Sequence, residues 1–392
     1  MDFGFDEAQR DLHARMVALG ERAQAAPDEA RLGVLAEAGV LGLSIPSEYG
    51  GGGFDLVTTA HAFEGLGRSL RDGGVLLAAG AHLFGVAMMI AKIGTDAQKA
   101  LWLPRLATGE VIATVGATEE GSGSDIAAVS GVAEPVTEGP GAEAGFRVTA
   151  SKRYVTAAKR AGLFFVVARN GAGGRGLTGL LVPRDVRPSP PRDLQPSSPP
   201  IDSNGITVGP PLAVMGLRNA GLAPVSFDGA LVSAGALLGR AGAGLAAFQI
   251  AMTYERALIL AFRLGAMDTE LREAIAFARG RRLGETAIAK HQAVAHRIAR
   301  MKLRLETARL LTYRSAWALD RGERGQLEAA LAKWHVAEAA TSSALDALKL
   351  RGGAGFLEES GRMQALDDTL GGGFHSGTED VLPNIVAGWM GL

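Results

Sequence analysis

The sequence predicts an α+β protein, mainly α, in which helices precede and follow a small β-rich middle. Apolar residues recur at three- and four-residue steps over residues 1 to about 115 and again from Gly242 onward, whereas short β-rich runs between turn residues fill 116–236. Helix, sheet and helix follow one another without β/α alternation, which argues against a doubly wound parallel fold. At 392 residues the chain has room for two or three domains. On this reading they divide at 1–115, 116–236 and 237–392.

In the first zone Leu32, Leu35, Ala36, Val40 and Leu43 share a helical face, and residues 96–106 repeat the pattern. Gly-rich breaks at 49–53 and 71–74 separate the helices. The apolar run 75–91 is rich in Gly and Ala and contains His82, so it reads as a core helix rather than a membrane span. In the middle zone, 146–149, 163–168, 177–182 and 224–227 read as strands. Nine of the sixteen prolines fall between Pro183 and Pro211, which predicts an irregular surface excursion. Gly171-x-Gly173-x-x-Gly176 matches a dinucleotide fingerprint, but a β run follows it. Without a helix N-terminus to hold phosphate, the spacing reads as a hairpin turn. The last zone carries three long helices, at 246 to about 279, 291 to about 320 and 327 to about 350.

Composition excludes several functions. Forty basic against forty-one acidic residues leave a net charge of −1, which gives no footprint for nucleic acid or a charged membrane surface. The absence of cysteine removes disulfides, thiolate zinc sites, iron–sulfur clusters and a cysteine nucleophile. Seven scattered histidines predict no metal site. The N-terminus lacks the charged-then-apolar layout of a signal peptide. A cytoplasmic protein with neither a nucleic-acid nor a membrane partner is expected.

Five segments carry a resemblance. Residues 35–51 (LAEAGVLGLSIPSEYGG), 94–110 (GTDAQKALWLPRLATGE), 118–125 (TEEGSGSD), 349–356 (KLRGGAGF) and 374–378 (FHSGT) together resemble, in order and over almost the whole chain, the acyl-CoA dehydrogenase family of flavoproteins. The resemblance implies an α domain, a β-barrel-like middle domain, a C-terminal four-helix bundle and FAD as cofactor. It also implies an acyl-CoA or acyl-carrier-protein substrate, a homodimer or homotetramer, and electron-transfer flavoprotein or a similar acceptor. In the 118–125 loop, small residues let backbone N–H groups approach a ligand. The resemblance puts Thr118, Gly123 and Ser124 on FAD, with Ser124 also beside substrate. Tyr154-Val155-Thr156 is similar to the family's Trp-Ile-Thr strand and implies flavin contacts from Tyr154 and Thr156. Arg281, ahead of Gln292, matches an arginine that crosses a subunit interface to a neighbour's pyrophosphate, a pairing suited to guanidinium. Lys349, Gly352, Gly353, Thr378 and Asp380 complete the implied cofactor contacts. The chain departs from the pattern at Glu120, Tyr154, Gly284, Lys349 and Asp367.

Dehydrogenation of an acyl thioester needs a carboxylate to take the α proton while the β hydrogen leaves as hydride. The family's usual position for it, before Gly-Thr, is Ser376 here. Isovaleryl- and long-chain-type members instead carry Glu-Arg on the helix that opens the C-terminal domain, which matches Glu255-Arg256. One turn from Glu255 lie Ala251, Met252, Leu258 and Ile259, an apolar setting that raises a carboxyl pKa and suits a general base. The resemblance leaves Ser376 a role through its backbone N–H, as oxyanion donor, so its side chain is expected to matter little. Arg256 and Gly377 are expected beside substrate. Two alternatives stay open: a flavin oxidase or monooxygenase, and a catalytically degenerate binding or scaffold protein.

Overall fold

The computed structural model describes residues 4–137, 145–171, 176–184 and 205–392. Helices α1 (Glu7–Ala25), α2 (Arg31–Glu37), α3 (Leu56–Ser69), α4 (Gly73–Gly80), α5 (Met88–Ile93) and α6 (Asp96–Thr108) form the first layer. Capping boxes start α1 at Asp6 with Gln9 and α6 at Thr95 with Gln98. Gln98 also donates to the Gly235 and Leu237 carbonyls, which fastens α6 to the far end of the β domain. The 75–91 run is helical and buried except for the half-buried Met88 and Ala91, but it is not a single α-helix: between α4 and α5, Ala81–Ala87 form a π-helical turn. Two stretches, Gly73–Ile93 and Gly244–Gly280, are long and apolar enough to cross a membrane, yet 89% and 78% of their most apolar windows are buried within the fold.

Strands β1 (Ile112–Gly116), β2 (Val132–Val136), β3 (Gly145–Val155), β4 (Ala161–Asn170), β5 (Leu177–Pro183), β6 (Ile206–Val208) and β7 (Ala223–Ser233) make one sheet in the order β1-β4-β2-β3-β7-β6, with β5 also paired to β4. The first strand therefore begins at 112, inside the zone read as helical. β4 and β5 pair antiparallel from Leu163 with Pro183 to Arg169 with Leu177, as the hairpin reading of the glycine spacing requires. Gly173 and the proline-rich residues 185–204 lie outside the described residues. β4 is the seam of the molecule. Leu163, Phe165 and Val167 pack against the helical layer, while Phe164, Val166 and Ala168 fill the core of the β domain.

The C-terminal zone contains α7 (Gly244–Leu258), α8 (Ala261–Gly280), a short hairpin of β8 (Arg282–Leu283) and β9 (Thr286–Ala287), α9 (Gln292–Asp320), α10 (Gln326–Leu350), α11 (Gly353–Phe356), α12 (Arg362–Leu370) and α13 (Val381–Trp389). The helix expected at 246–279 is two helices. The backbone leaves helical values at Leu260 (φ −100°, ψ 8°), and α8 then runs against α3. Neither Gly nor Pro marks this break, so apolar periodicity alone could not locate it. The mainly helical order of domains is as the sequence predicts.

Candidate active site

A cavity of about 550 Å³ lies where α4, the end of β3, the 117–126 loop, α7 and the 374–378 loop meet. Each wall has a local cause. β3 alternates inward and outward, and its inward set, Phe146, Val148 and Ala150, continues into Lys152, which is completely buried. Lys152 Nζ donates to Glu119 Oε1 (2.7 Å), the Ala117 carbonyl (3.1 Å) and the Val167 carbonyl (2.6 Å). Glu119 also accepts from the Ser130 and Gly131 amides and the Ser130 hydroxyl. Burial opposes charge on Glu119, but these donors outweigh it and hold the carboxyl below its ordinary range. The buried pair thus pins the loop that carries Thr118, Gly123 and Ser124 to the cavity.

Past Lys152 the strand ends in an unusual turn. Tyr154 has φ +59° and is 55% exposed at the cavity, under the Arg153 guanidinium, and Thr156 follows it into the wall.

The opposite wall is α7 with the 374–378 loop. Glu255 is buried, and burial pushes its carboxyl pKa up against the pull of Ser376, Arg256 and Lys333. Arg256 does not pair with it. Its Nε donates to the Ser376 carbonyl at 2.8 Å. Lys333, on α10 and buried, donates to the Gly377 carbonyl at 2.6 Å. Its pKa is lowered to about 7 by burial and by neighbouring Arg256. Ser376 sits in the left-handed region (φ +57°) and its hydroxyl donates to Glu255 Oε1. His375 Nδ1 lies 3.0 Å from the same hydroxyl oxygen. This corrects the expectation that the Ser376 side chain is a bystander: it touches the carboxylate. Its backbone N–H has no acceptor among the described residues.

The structure brings Thr118, Gly123, Ser124, Tyr154, Thr156, Glu255, Arg256, Ser376, Gly377 and Thr378 to one cavity. Arg281, Gln292, Lys349, Gly352, Gly353 and Asp380 do not line it; all six are exposed. Within one chain they form no site with the others. Glu119, Lys152, Lys333 and His375 escaped the sequence reading. For Lys152 a signal existed, because strand alternation puts it on the inward face. Nothing local marks the other three.

The chain matches the N-terminal domain of acyl-CoA dehydrogenases over residues 6–110, the middle domain over 114–230 and the C-terminal domain over 242–391. The chain belongs to the acyl-CoA dehydrogenase family. It is 37% identical to an L-prolyl-[peptidyl-carrier protein] dehydrogenase of Pseudomonas fluorescens, over 99% of each chain. Among solved structures it is similar to the prolyl acyl carrier protein oxidase AnaB, with TM-score 0.89 and 30% identity over 99% of this chain and 100% of that one. It is also similar to PigA with FAD and proline, with TM-score 0.88 and 27% identity over the whole of both chains. This member of the acyl-CoA dehydrogenase family is an FAD-dependent oxidoreductase acting on the CH–CH bond of acyl thioesters. The donor set fits that cofactor. Hydroxyls of Thr118, Ser124, Thr156 and Thr378 line the cavity together with apolar groups such as Leu222, Phe248 and Met252, which suits a flat ring with a polar rim.

Proposed function

We propose that this dehydrogenase acts on a carrier-protein-bound aminoacyl thioester of the prolyl class, with Glu255 as the base. The observation that carries the chemistry is the Glu255 carboxyl, buried on the cavity wall, with Ser376 as its one hydrogen-bond donor among the described residues. A carboxylate so sparsely satisfied in an apolar wall binds a proton more strongly than one in water, which is what proton abstraction from carbon requires. The prolyl class is supported by the end-to-end similarity to a prolyl-carrier-protein dehydrogenase.

The Thr118, Ser124, Thr156 and Thr378 hydroxyls would hold FAD, which would supply the hydride acceptor. The chain's own residues do the rest. Glu255 takes the α proton as the α,β bond gains double-bond character. The free Ser376 N–H suits the thioester oxygen, where charge develops. Arg256 and Lys333, each on a carbonyl of that loop, keep the N–H turned, and the Arg256 guanidinium adds positive charge beside it. The exposed set Arg281, Gln292, Lys349, Gly352 and Gly353 reads as the cofactor contact offered to a neighbouring subunit in a homodimer or homotetramer. Its exposure outside this chain's own cavity supports that reading.

Anaerobic flavin bleaching tests the substrate. L-prolyl on a peptidyl carrier protein should reduce the flavin faster than L-prolyl-CoA or short acyl-CoAs. Bleaching by butyryl-CoA with none by the prolyl carrier would overturn the assignment. Similarity to AnaB favours a second reading for the electrons, an oxidase. Stoichiometric peroxide on aerobic turnover is its signature; electron-transfer flavoprotein reduced without peroxide marks the dehydrogenase.

A further inference from the structure

The Glu255 carboxylate is held from two sides by groups that the reaction does not consume. On one side, the Ser376 hydroxyl donates to Oε1. When Glu255 is ionised that hydroxyl's single proton goes to the carboxylate, so the 3.0 Å contact from His375 is then Nδ1–H donating to the serine oxygen. His375 Nε2 is buried without a partner, so a second proton there would go unsatisfied and the neutral ring with its proton on Nδ1 is favoured. Burial keeps the ring neutral, and Lys333 and Arg263, which face it, act in the same direction. The left-handed backbone of Ser376 is uncommon for a residue with a side chain. Arg256 on the Ser376 carbonyl and Lys333 on the Gly377 carbonyl restrain it.

On the other side lies Gly85, in the π-helical turn of Ala81–Ala87. A methyl group built on Gly85 would stand 2.8 Å from Glu255 Oε2 and 3.4 Å from a Val115 methyl. Only a residue without Cβ leaves that oxygen its place. A π turn buried inside a helical run is an uncommon feature that recurs at functional sites.

We infer that Ser376, oriented by His375, and Gly85 of the π turn are positioning residues that fix the Glu255 carboxylate for α-proton abstraction. The inference rests on Glu255 being the base, and the test separates the two. The probe is a phenylacetyl thioester on the carrier that supports turnover, which has α hydrogens but no β hydrogen. Its α hydrogens exchange into D₂O on the FAD-loaded enzyme without hydride transfer, so exchange against pH reads the base alone.

The groups facing Glu255 and His375 are Arg256 on α7, Arg263 on α8, Lys333 on α10 and Ser376 on the C-terminal loop, and Glu379 faces Lys333 in turn. Ser376→Ala removes the donor that favours the charged carboxylate. The rising limb should move to higher pH, and exchange below it should fall about tenfold to a hundredfold. His375→Leu should move the limb the same way. His375→Asn keeps an N–H at the Nδ1 position and should move it less than Leu. Gly85→Ala should lower the plateau about tenfold or more, because the carboxylate is displaced. FAD absorbance and melting temperature verify that each variant is folded.

If Glu255→Gln exchanges like the parent protein, the base reading itself is wrong. If Glu255→Gln loses exchange while Ser376→Ala and His375→Leu keep the parent limb and rate, only the positioning inference falls. Equal limbs for His375→Asn and His375→Leu would remove His375 from it.

Discussion

Two buried acid–base clusters, one in the β domain and one at the C-terminal loop, use the same residue types to opposite ends. In the first, Glu119 accepts from two amides, a hydroxyl and Lys152, and Lys152 adds two carbonyls. Every charge has a partner, and the carboxyl is held below its ordinary range. In the second, Glu255 has one hydroxyl donor, and Lys333 spends its proton on a carbonyl rather than on the carboxylate. Burial then wins: the Glu255 carboxyl is pushed up and Lys333 down to about 7. Satisfaction of hydrogen bonds, not residue type, separates a structural ion pair from a reactive carboxyl.

The sharpest way to break this comparison is to neutralise each carboxylate in turn. Glu255→Gln should retain FAD and fold while single-turnover flavin reduction falls on the order of 10²–10⁴-fold; an unchanged rate removes the distinction. Glu119→Gln should act on stability instead, because it leaves Lys152 buried without its counter-charge. The expected loss is about 3–5 kcal/mol, read from denaturant unfolding, together with weaker FAD retention. Since the folded carboxyl is depressed, the pair's contribution is present above the ordinary carboxylate range. It should fade as pH falls through the depressed value, and Glu119→Gln should flatten that acid limb.

Lys333 sharpens the contrast. Between its folded value of about 7 and its ordinary 10.5, the unfolded chain binds the extra proton. This residue therefore makes stability rise with pH across that window. Lys333→Met should abolish the slope in melting experiments run from pH 7 to 10. A slope that survives would mean Lys333 stays charged in the folded state. The smallest expected effect is at the exposed set. Arg281→Ala should weaken FAD binding about tenfold to a hundredfold in the oligomer, by analogy with other charge-assisted bonds. A monomer in light scattering that binds FAD as tightly as the parent would exclude a contribution from a neighbour.

Much of this was legible in the chain itself. Apolar periodicity places the helices and strand alternation the sheet, because both depend on which face of an element is dry. The absent helix after Gly176 rules out a dinucleotide turn, and β4 and β5 pair as a hairpin. Glu255 was readable as a candidate base because the family resemblance points to the Glu255-Arg256 pair, and its own helical turn surrounds it with Ala251, Met252, Leu258 and Ile259.

What only the tertiary structure decided lies between elements. The break at Leu260, the π turn against Glu255, the reach of Lys152 to Glu119 and the meeting of α7, α10 and the C-terminal loop join residues far apart in the chain; the bond from Ser376 to Glu255 alone spans 121 positions. Sequence determines the chemistry each residue can offer and the face on which it stands. Which donors reach a carboxylate, and so whether it is quenched or left reactive, depends on packing that brings distant segments within about 3 Å, a range that no local pattern encodes.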